Sequence, residues 1–149
     1  MTAIVHHDAT ALLTSDLQEE SEQIQALARS LDLPHRALDP ARLLSSNLLH
    51  VLVHLATVSA SAAAVVDAAE MPSPVHLRAL ARIESAQQSM LSAGGSMSTV
   101  LDQLSVPDSG ITDTAGLVQA GRLRASVLLT SASAHLGAAA AALRATPAG

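Results

Sequence analysis

The sequence predicts an all-α protein: one domain spanning residues 1–149, folded as an up-down-up-down antiparallel four-helix bundle. Apolar residues recur at alternating spacings of three and four through four long segments, as on the buried face of a helix. Proline, glycine and Asp/Ser clusters separate these segments near residues 34, 72 and 107–110. The chain has no Phe, Tyr or Trp and is rich in Ala, which suits closely packed helices better than sheets. Because the connections are short, sequential helices are expected to run antiparallel.

The first helix is predicted over about residues 8–31. Its apolar stripe has one polar member, Glu20, and otherwise consists of Leu13, Leu17, Ile24, Leu27 and Leu31. An unpartnered carboxylate in a dry core costs several kcal/mol, so we expect Glu20 to be paired or hydrated.

The second helix is predicted over residues 40–70, with Asp39 as N-cap and Pro40 at the first helical position. Its apolar stripe is unbroken and consists of Leu44, Leu48, Val51, Leu55, Val58, Ala62, Val65 and Ala69. Further apolar residues, Leu49, Leu52 and Val53, point away from this stripe. An apolar outer face predicts a partner surface, and because most oligomers are symmetric we expect a homodimer. The alternative is a surface that is simply rich in Ala and Leu.

The same helix contains a stretch, 48–66, that has no formal charge and is about as long as a membrane span. Five polar residues make it a poor span: His50, His54, Thr57, Ser59 and Ser61. We therefore expect no membrane insertion.

The third helix is predicted over residues 74–104, with Ser73 as N-cap and Pro74 following it. Two members of its stripe, the polar Gln87 and the side-chain-free Gly94, differ from the large apolar residues that make up the rest: Leu80, Ile83, Met90, Met97, Leu101 and Leu104. Glycine inside a helix costs about 1 kcal/mol relative to Ala. The Gly94-Gly95 pair therefore predicts either a kink or void that leaves a ligand room, or a joint between two shorter helices.

The fourth helix is predicted over residues 113–144, with a less regular pattern. We place its inner line through Leu117, Arg124, Leu128, Ser131, His135, Ala138 and Ala142.

Folding the four helices back on one another predicts a polar layer near the middle of the bundle. Because the loop lengths are uncertain, neighbouring helices can be aligned along the bundle axis only to within about one turn. Within that tolerance the layer holds Glu20, His50, His54, Gln87, Gly94 and Arg124. We expect these residues to line an internal cavity in which histidine or arginine partners the glutamate.

His50 and His54 are four residues apart and so share one helical face. This spacing allows a structural role, an acid/base or ligand-binding role, or metal binding. The stretch lacks the glutamate of a zincin motif, and no Glu-x-x-His pair occurs in the chain. We expect no metal and no cofactor.

Composition excludes several functions. Without Cys there is no thiolate nucleophile or disulfide, and without Lys there is no P-loop or Schiff base. The net charge of −5 argues against nucleic acid and anionic lipid as partners. Residues 1–8 do not resemble a signal peptide, so a cytoplasmic protein is expected.

The predicted function is binding or non-redox turnover of a largely hydrophobic small molecule, such as its isomerisation, cyclisation or dehydration. Glu20, His50 or His54 would move a proton. Arg124 would hold an anionic or carbonyl group, and Gln87 and Gly94 would complete the binding site. The alternatives are an interaction protein that acts through the apolar surface of the second helix, and a metal site on the two histidines with Glu20.

Overall fold

The computed structural model describes residues 2–34, 38–68, 73–106, 110 and 113–144, with side chains described from Thr10 and not for Ala68. Four helices make up almost all of this part of the chain: α1 (Thr2–Asp32), α2 (Pro40–Ala68), α3 (Pro74–Ser105) and α4 (Thr114–Arg144). The described residues contain no strand. The predicted all-α, four-helix fold class is confirmed.

The helix boundaries follow from local capping chemistry. The Asp39 carboxylate accepts a hydrogen bond from the Arg42 backbone N–H at 3.1 Å. Ser73 accepts one from the third residue of its helix at 3.2 Å, and Asp113 accepts one likewise at 2.8 Å. Each side chain satisfies a backbone donor that has no partner inside the helix.

The predicted and observed bounds differ mainly at the chain's start. α1 begins at Thr2 and not near residue 8. The predicted end of α2 at residue 70, like Ala69 of its stripe, lies outside the described residues.

Side-chain contacts relate the helices to one another. α1 meets α4 where Ser21 contacts Ser133 and, farther along α1, where the Ala28 carbonyl accepts from Ser126. Residue numbers rise on one helix and fall on the other, as in antiparallel neighbours. α2 on α3, and α3 on α4, follow the same pattern. These contacts fit the predicted up-down order, which as a whole stays a prediction.

The closest packing joins α4 to α3 and to α1, whereas α2 packs less closely on both of its neighbours. Small residues allow the α3–α4 approach: the buried face of α3 includes Ala79, Ala86 and Ala93, and that of α4 includes Ala125, Ala132 and Ala139. At Gly121 an added Cβ would lie 2.9 Å from Val100. The bundle is therefore densest around α4 and loosest around α2.

The inner line predicted for α4 is wrong by about one residue. Arg124 and Ser131 on that line are exposed, and Leu117 and Leu128 are only half-buried. The buried line has the same alternation of four and three and consists of Val118, Arg122, Ala125, Leu129, Ala132, Leu136, Ala139 and Leu143. One residue rotates a helical side chain by about 100°, which is enough to turn Arg124 to solvent.

Among the described residues, two helical stretches are long and apolar enough to cross a membrane, by length and composition alone: Pro40–Asp67 and Thr114–Arg144. They differ in how much of their most apolar part the bundle buries. The share is 17% of the 18-residue window in α2 and 44% in α4. α2 is therefore an apolar helix that the rest of the described chain leaves mostly uncovered.

Candidate functional site

The candidate site is built on a contact between Glu20 of α1 and His54 of α2. The imidazole Nδ1 lies 2.7 Å from the carboxylate Oε1. Glu20 is buried, with 5% of its surface exposed, whereas the His54 side chain is 22% exposed. The buried carboxylate predicted at the middle of α1 thus has a partner from the predicted polar layer.

The chemistry of the two groups orients this hydrogen bond. An ionised carboxylate can only accept, so Nδ1 carries the proton and its N–H donates the hydrogen bond to Glu20. The neutral ring then presents a lone pair at Nε2, which makes no hydrogen bond within the part of the chain that the structure describes. A carboxylate behind an imidazole fixes its tautomer and stabilises the imidazolium that forms when Nε2 takes up a proton.

The pair lies in the wall of a groove between α1 and α2. The groove has a volume of about 500 Å³ and is open to solvent on one side. Its walls combine apolar residues, carboxylates and hydroxyl or amide groups: Leu13, Val53, Ala60 and Ala64; Asp16, Glu19 and Glu20; Gln23, Thr57 and Ser61. The site is therefore a surface groove and not the enclosed cavity expected at mid-bundle.

The lining of the groove is negatively charged. Among the described residues, three carboxylates line it and no arginine does. This lining favours a ligand with an apolar body and a positive or hydrogen-bond-donating group. It disfavours the anionic group that Arg124 was expected to hold.

His50 does not join the pair. It is exposed and is not among the residues that line the groove. Although it shares a helical face with His54, it lies one turn nearer the start of α2. The two imidazoles therefore do not line the same groove.

Gln87 and Gly94 lie at the α2–α3 interface. The Gln87 amide donates to the Ser59 hydroxyl at 3.1 Å. Gly94 is buried, and a Cβ added to it would meet Leu48 at 3.5 Å, an ordinary contact distance. α3 continues as one helix through Gly94-Gly95, so the predicted joint between two shorter helices is wrong. The nearby Leu48 side chain also leaves no void at Gly94.

The buried arginine of α4 is Arg122 and not Arg124. Its guanidinium donates to the carbonyls of Ser30 at 3.0 Å and Leu33 at 3.2 Å, and to the Gln119 side chain at 3.2 Å. Burial lowers the pKa of this guanidinium from its usual value. A positive charge at these carbonyls caps the C-terminal end of α1 and complements its dipole. Arg122 is thus structural, and Arg124 lies outside the candidate site.

Sequence reasoning missed Arg122 and the buried serines at the α1–α4 interface. Ser21 and Ser133 hydrogen-bond to each other and to backbone carbonyls across the interface, and Ser126 donates to Ala28 at 2.6 Å. A signal was available: the regular alternation from Val118 to Leu143 passes through Arg122. In a segment this rich in Ala, several lines compete with it.

The metal alternative required His50, His54 and Glu20 to converge, and only the last two do. Among the described residues no group of three or more His, Cys, Asp or Glu is placed to hold a metal ion. Comparison with protein families, with curated proteins and with solved structures finds no match to the chain. Functional inference therefore depends on the geometry of the groove and of α2.

Proposed function

We propose that the chain binds a small molecule in the α1–α2 groove and that His54 exchanges a proton with it. The observation that carries this proposal is the 2.7 Å bond from a buried glutamate to a histidine that lines an open groove. Of the residues first expected in the site, Glu20 and His54 remain.

The reaction class that suits this pair is proton transfer without a redox step, as in an isomerisation or dehydration. His54 Nε2 would accept a proton from the ligand while Glu20 holds the ring and stabilises its positive charge. The imidazolium would then return the proton to another ligand atom, so that the pair ends as it began. Leu13 and Ala64 would contact the apolar part of the ligand, and the carboxylates of Asp16 and Glu19 would attract a positive group.

The test uses two probes of similar shape and opposite charge, benzylammonium and benzoate. We expect benzylammonium to bind and to shift the Nε2 resonance of His54 in ¹⁵N NMR of the imidazole side chains, while the resonances of exposed His50 stay in place. Benzoate should bind more weakly, because the groove is lined by carboxylates.

Two variants complete this test. His54→Gln should weaken benzylammonium binding, whereas His50→Gln, one turn away, should not. Equal binding of both probes would contradict the assignment of ligand charge. Binding that is unaffected by His54→Gln would remove His54 from the site.

A second candidate function, that of an interaction protein, is supported by the exposure of α2. Leu49, Leu52, Val53 and Val66 are each about half exposed or more, on a helix whose most apolar window is 17% buried. A contiguous apolar surface of this kind is typical of protein–protein contact. Measurement of the solution mass by light scattering tests whether the surface is covered in solution.

A further inference from the structure

One side of α2 forms a continuous exposed stripe directly opposite its buried side. The buried side includes Leu44, Val51, Val58 and Val65, spaced by seven residues. At 100° per residue, the opposite side holds the residues that we call the outer stripe: Arg42, Leu49, Val53, Ala56, Ala60 and Asp67. All six are exposed, and Leu49 and Val53 expose 60% and 57% of their surfaces.

The outer stripe has opposite charges at its two ends and none between them. Arg42 and Asp67 are 25 residues apart, or about 38 Å along the helix. The residues from 43 to 66 include no Asp, Glu, Lys or Arg. Neither Arg42 nor Asp67 forms an ion pair within the described part of the chain. A partner helix that runs the opposite way and has the same charges would neutralise both ends.

The apolar part of the stripe is also complementary to itself. In an antiparallel helix pair, facing residue numbers have a constant sum. Setting Arg42 opposite Asp67 of a second copy places Leu49 opposite Ala60 and Val53 opposite Ala56 of that copy. Large side chains then face small ones at these central positions of the contact, which is the arrangement that lets two helices interdigitate.

We propose that the outer stripe is the contact surface of an antiparallel homodimer, with α2 packed on α2 of a second copy and Arg42 paired with Asp67 at each end. The contact is isologous, so the two-fold axis passes between Val53 and Ala56 and the Arg42–Asp67 ion pair forms twice by symmetry, once at each end. This proposal does not depend on proton transfer at the groove.

The surroundings of the stripe favour a protein partner over a bilayer. Val53 and Ala60 of the stripe also line the groove, next to Asp16 and Glu19 of α1. A bilayer that took up the stripe would draw these carboxylates into its interface, and the net charge of −5 would oppose an anionic surface. A second copy covers the apolar residues and leaves the carboxylates in water.

The experiment exchanges the charges at the two ends of the stripe. Arg42→Glu places a glutamate opposite Asp67 of the second copy, and Asp67→Arg places an arginine opposite Arg42. Each variant alone faces two repulsive pairs, so the dimer dissociation constant at low salt should rise about tenfold or more. An equal mixture of the two variants restores both attractions in a heterodimer, which should bind about as tightly as the wild-type dimer.

Sedimentation velocity gives the dissociation constants, native mass spectrometry identifies the heterodimer, and circular dichroism checks that each variant stays helical. Val53→Glu, near the two-fold axis, should give a monomer by another route. Single variants that dimerise like the wild type would overturn the register, as would a mixture that dimerises no better than its components. A wild type that is monomeric, or that is monomeric and floats with phosphatidylcholine vesicles, would overturn the dimer itself.

Discussion

The contact between Glu20 and His54 predicts an asymmetric response to mutation. Glu20 is 5% exposed, and its hydrogen-bond partner within the described residues is His54, 2.7 Å away. Replacing His54 with Leu leaves a buried carboxylate without that donor. Replacing Glu20 with Leu leaves a histidine that can stay neutral and reach water, since its side chain is 22% exposed.

The magnitudes follow from the cost of burying a polar group without a partner. For His54→Leu we expect a loss of about 2–3 kcal/mol in the free energy of unfolding, because a charged acceptor loses its donor. For Glu20→Leu we expect about 0–1 kcal/mol, since leucine fills a core position with apolar volume. The double variant should resemble Glu20→Leu alone, because the buried charge is then gone. In a protein of this length the His54→Leu loss corresponds to about 5–10 °C in Tm.

The assay is a double-mutant cycle measured by urea denaturation with circular dichroism. His50→Leu is the matched control, since His50 is exposed and makes no hydrogen bond in the described part of the chain, and it should change stability by less than about 0.5 kcal/mol. If His54→Leu costs no more than His50→Leu, the pair contributes nothing to stability. If Glu20→Leu costs as much as His54→Leu, Glu20 is needed to hold α2 on α1. The expectation that removing the buried charge costs little stability is then refuted.

Two further pairs of variants compare a buried arginine with an exposed one, and a glycine that has room for a Cβ with one that does not. Arg122→Met should cost about 2–3 kcal/mol because it removes the cap on α1, whereas Arg124→Met at an exposed position should stay within about 0.5 kcal/mol; equal costs in thermal melts would refute this assignment. Gly94→Ala should raise the free energy of unfolding by about 0.5–1 kcal/mol, since its Cβ has room and helix propensity improves. Gly121→Ala should give no such gain, because its Cβ would lie 2.9 Å from Val100; a loss at Gly94 in urea denaturation would indicate that the helix needs glycine there.

The fold class and the helix starts could be predicted because they depend on local chemistry. Asp39 followed by Pro40, and Ser73 followed by Pro74, each combine a side-chain acceptor with a residue that needs no backbone N–H partner. Three residues of context are enough to recognise such a start. The α1 start at Thr2 has no comparable signal, since its first turn contains no proline or acidic residue.

The orientation of α4 could not be predicted with the same security. Hydrophobic periodicity identifies a buried face by contrast with a polar one, and α4 offers little contrast because Ala and Ser occur on every side. Alanine is as compatible with the α3 contact as with solvent. The buried position of Arg122 depends on where the carbonyls of Ser30 and Leu33 end up, which is tertiary information.

The polar layer illustrates the difference between the height of a residue along a bundle and the direction of its side chain. Matching loop lengths placed Glu20, His54, Gln87 and Arg124 at similar heights. A shift of one residue moves a side chain about 1.5 Å along the helix and about 100° around it, so similar height leaves direction undetermined. Glu20 of α1 and His54 of α2 face each other. Gln87 instead lies in the α2–α3 interface, where it donates to Ser59, and the Arg124 side chain points to solvent.

Both proposed functions depend on the loose packing of α2. On the α1–α4 side, serine hydroxyls and the Arg122 guanidinium satisfy backbone carbonyls across the interface, which closes it to ligands. On the α1–α2 side, the Glu20–His54 pair spans the interface beside an open groove, and no helix of the described chain covers the outer stripe of α2. A second copy packed on that stripe would lie next to the groove, because Val53 and Ala60 belong to both surfaces. Dimer formation would then reduce the water around His54 on the α2 side of the groove, which strengthens its hydrogen bond to Glu20, while Asp16 and Glu19 on the α1 side stay in water. α2 would therefore provide the dimer contact, and the second copy packed on it would exclude water from the α2 side of the groove in which His54 exchanges a proton.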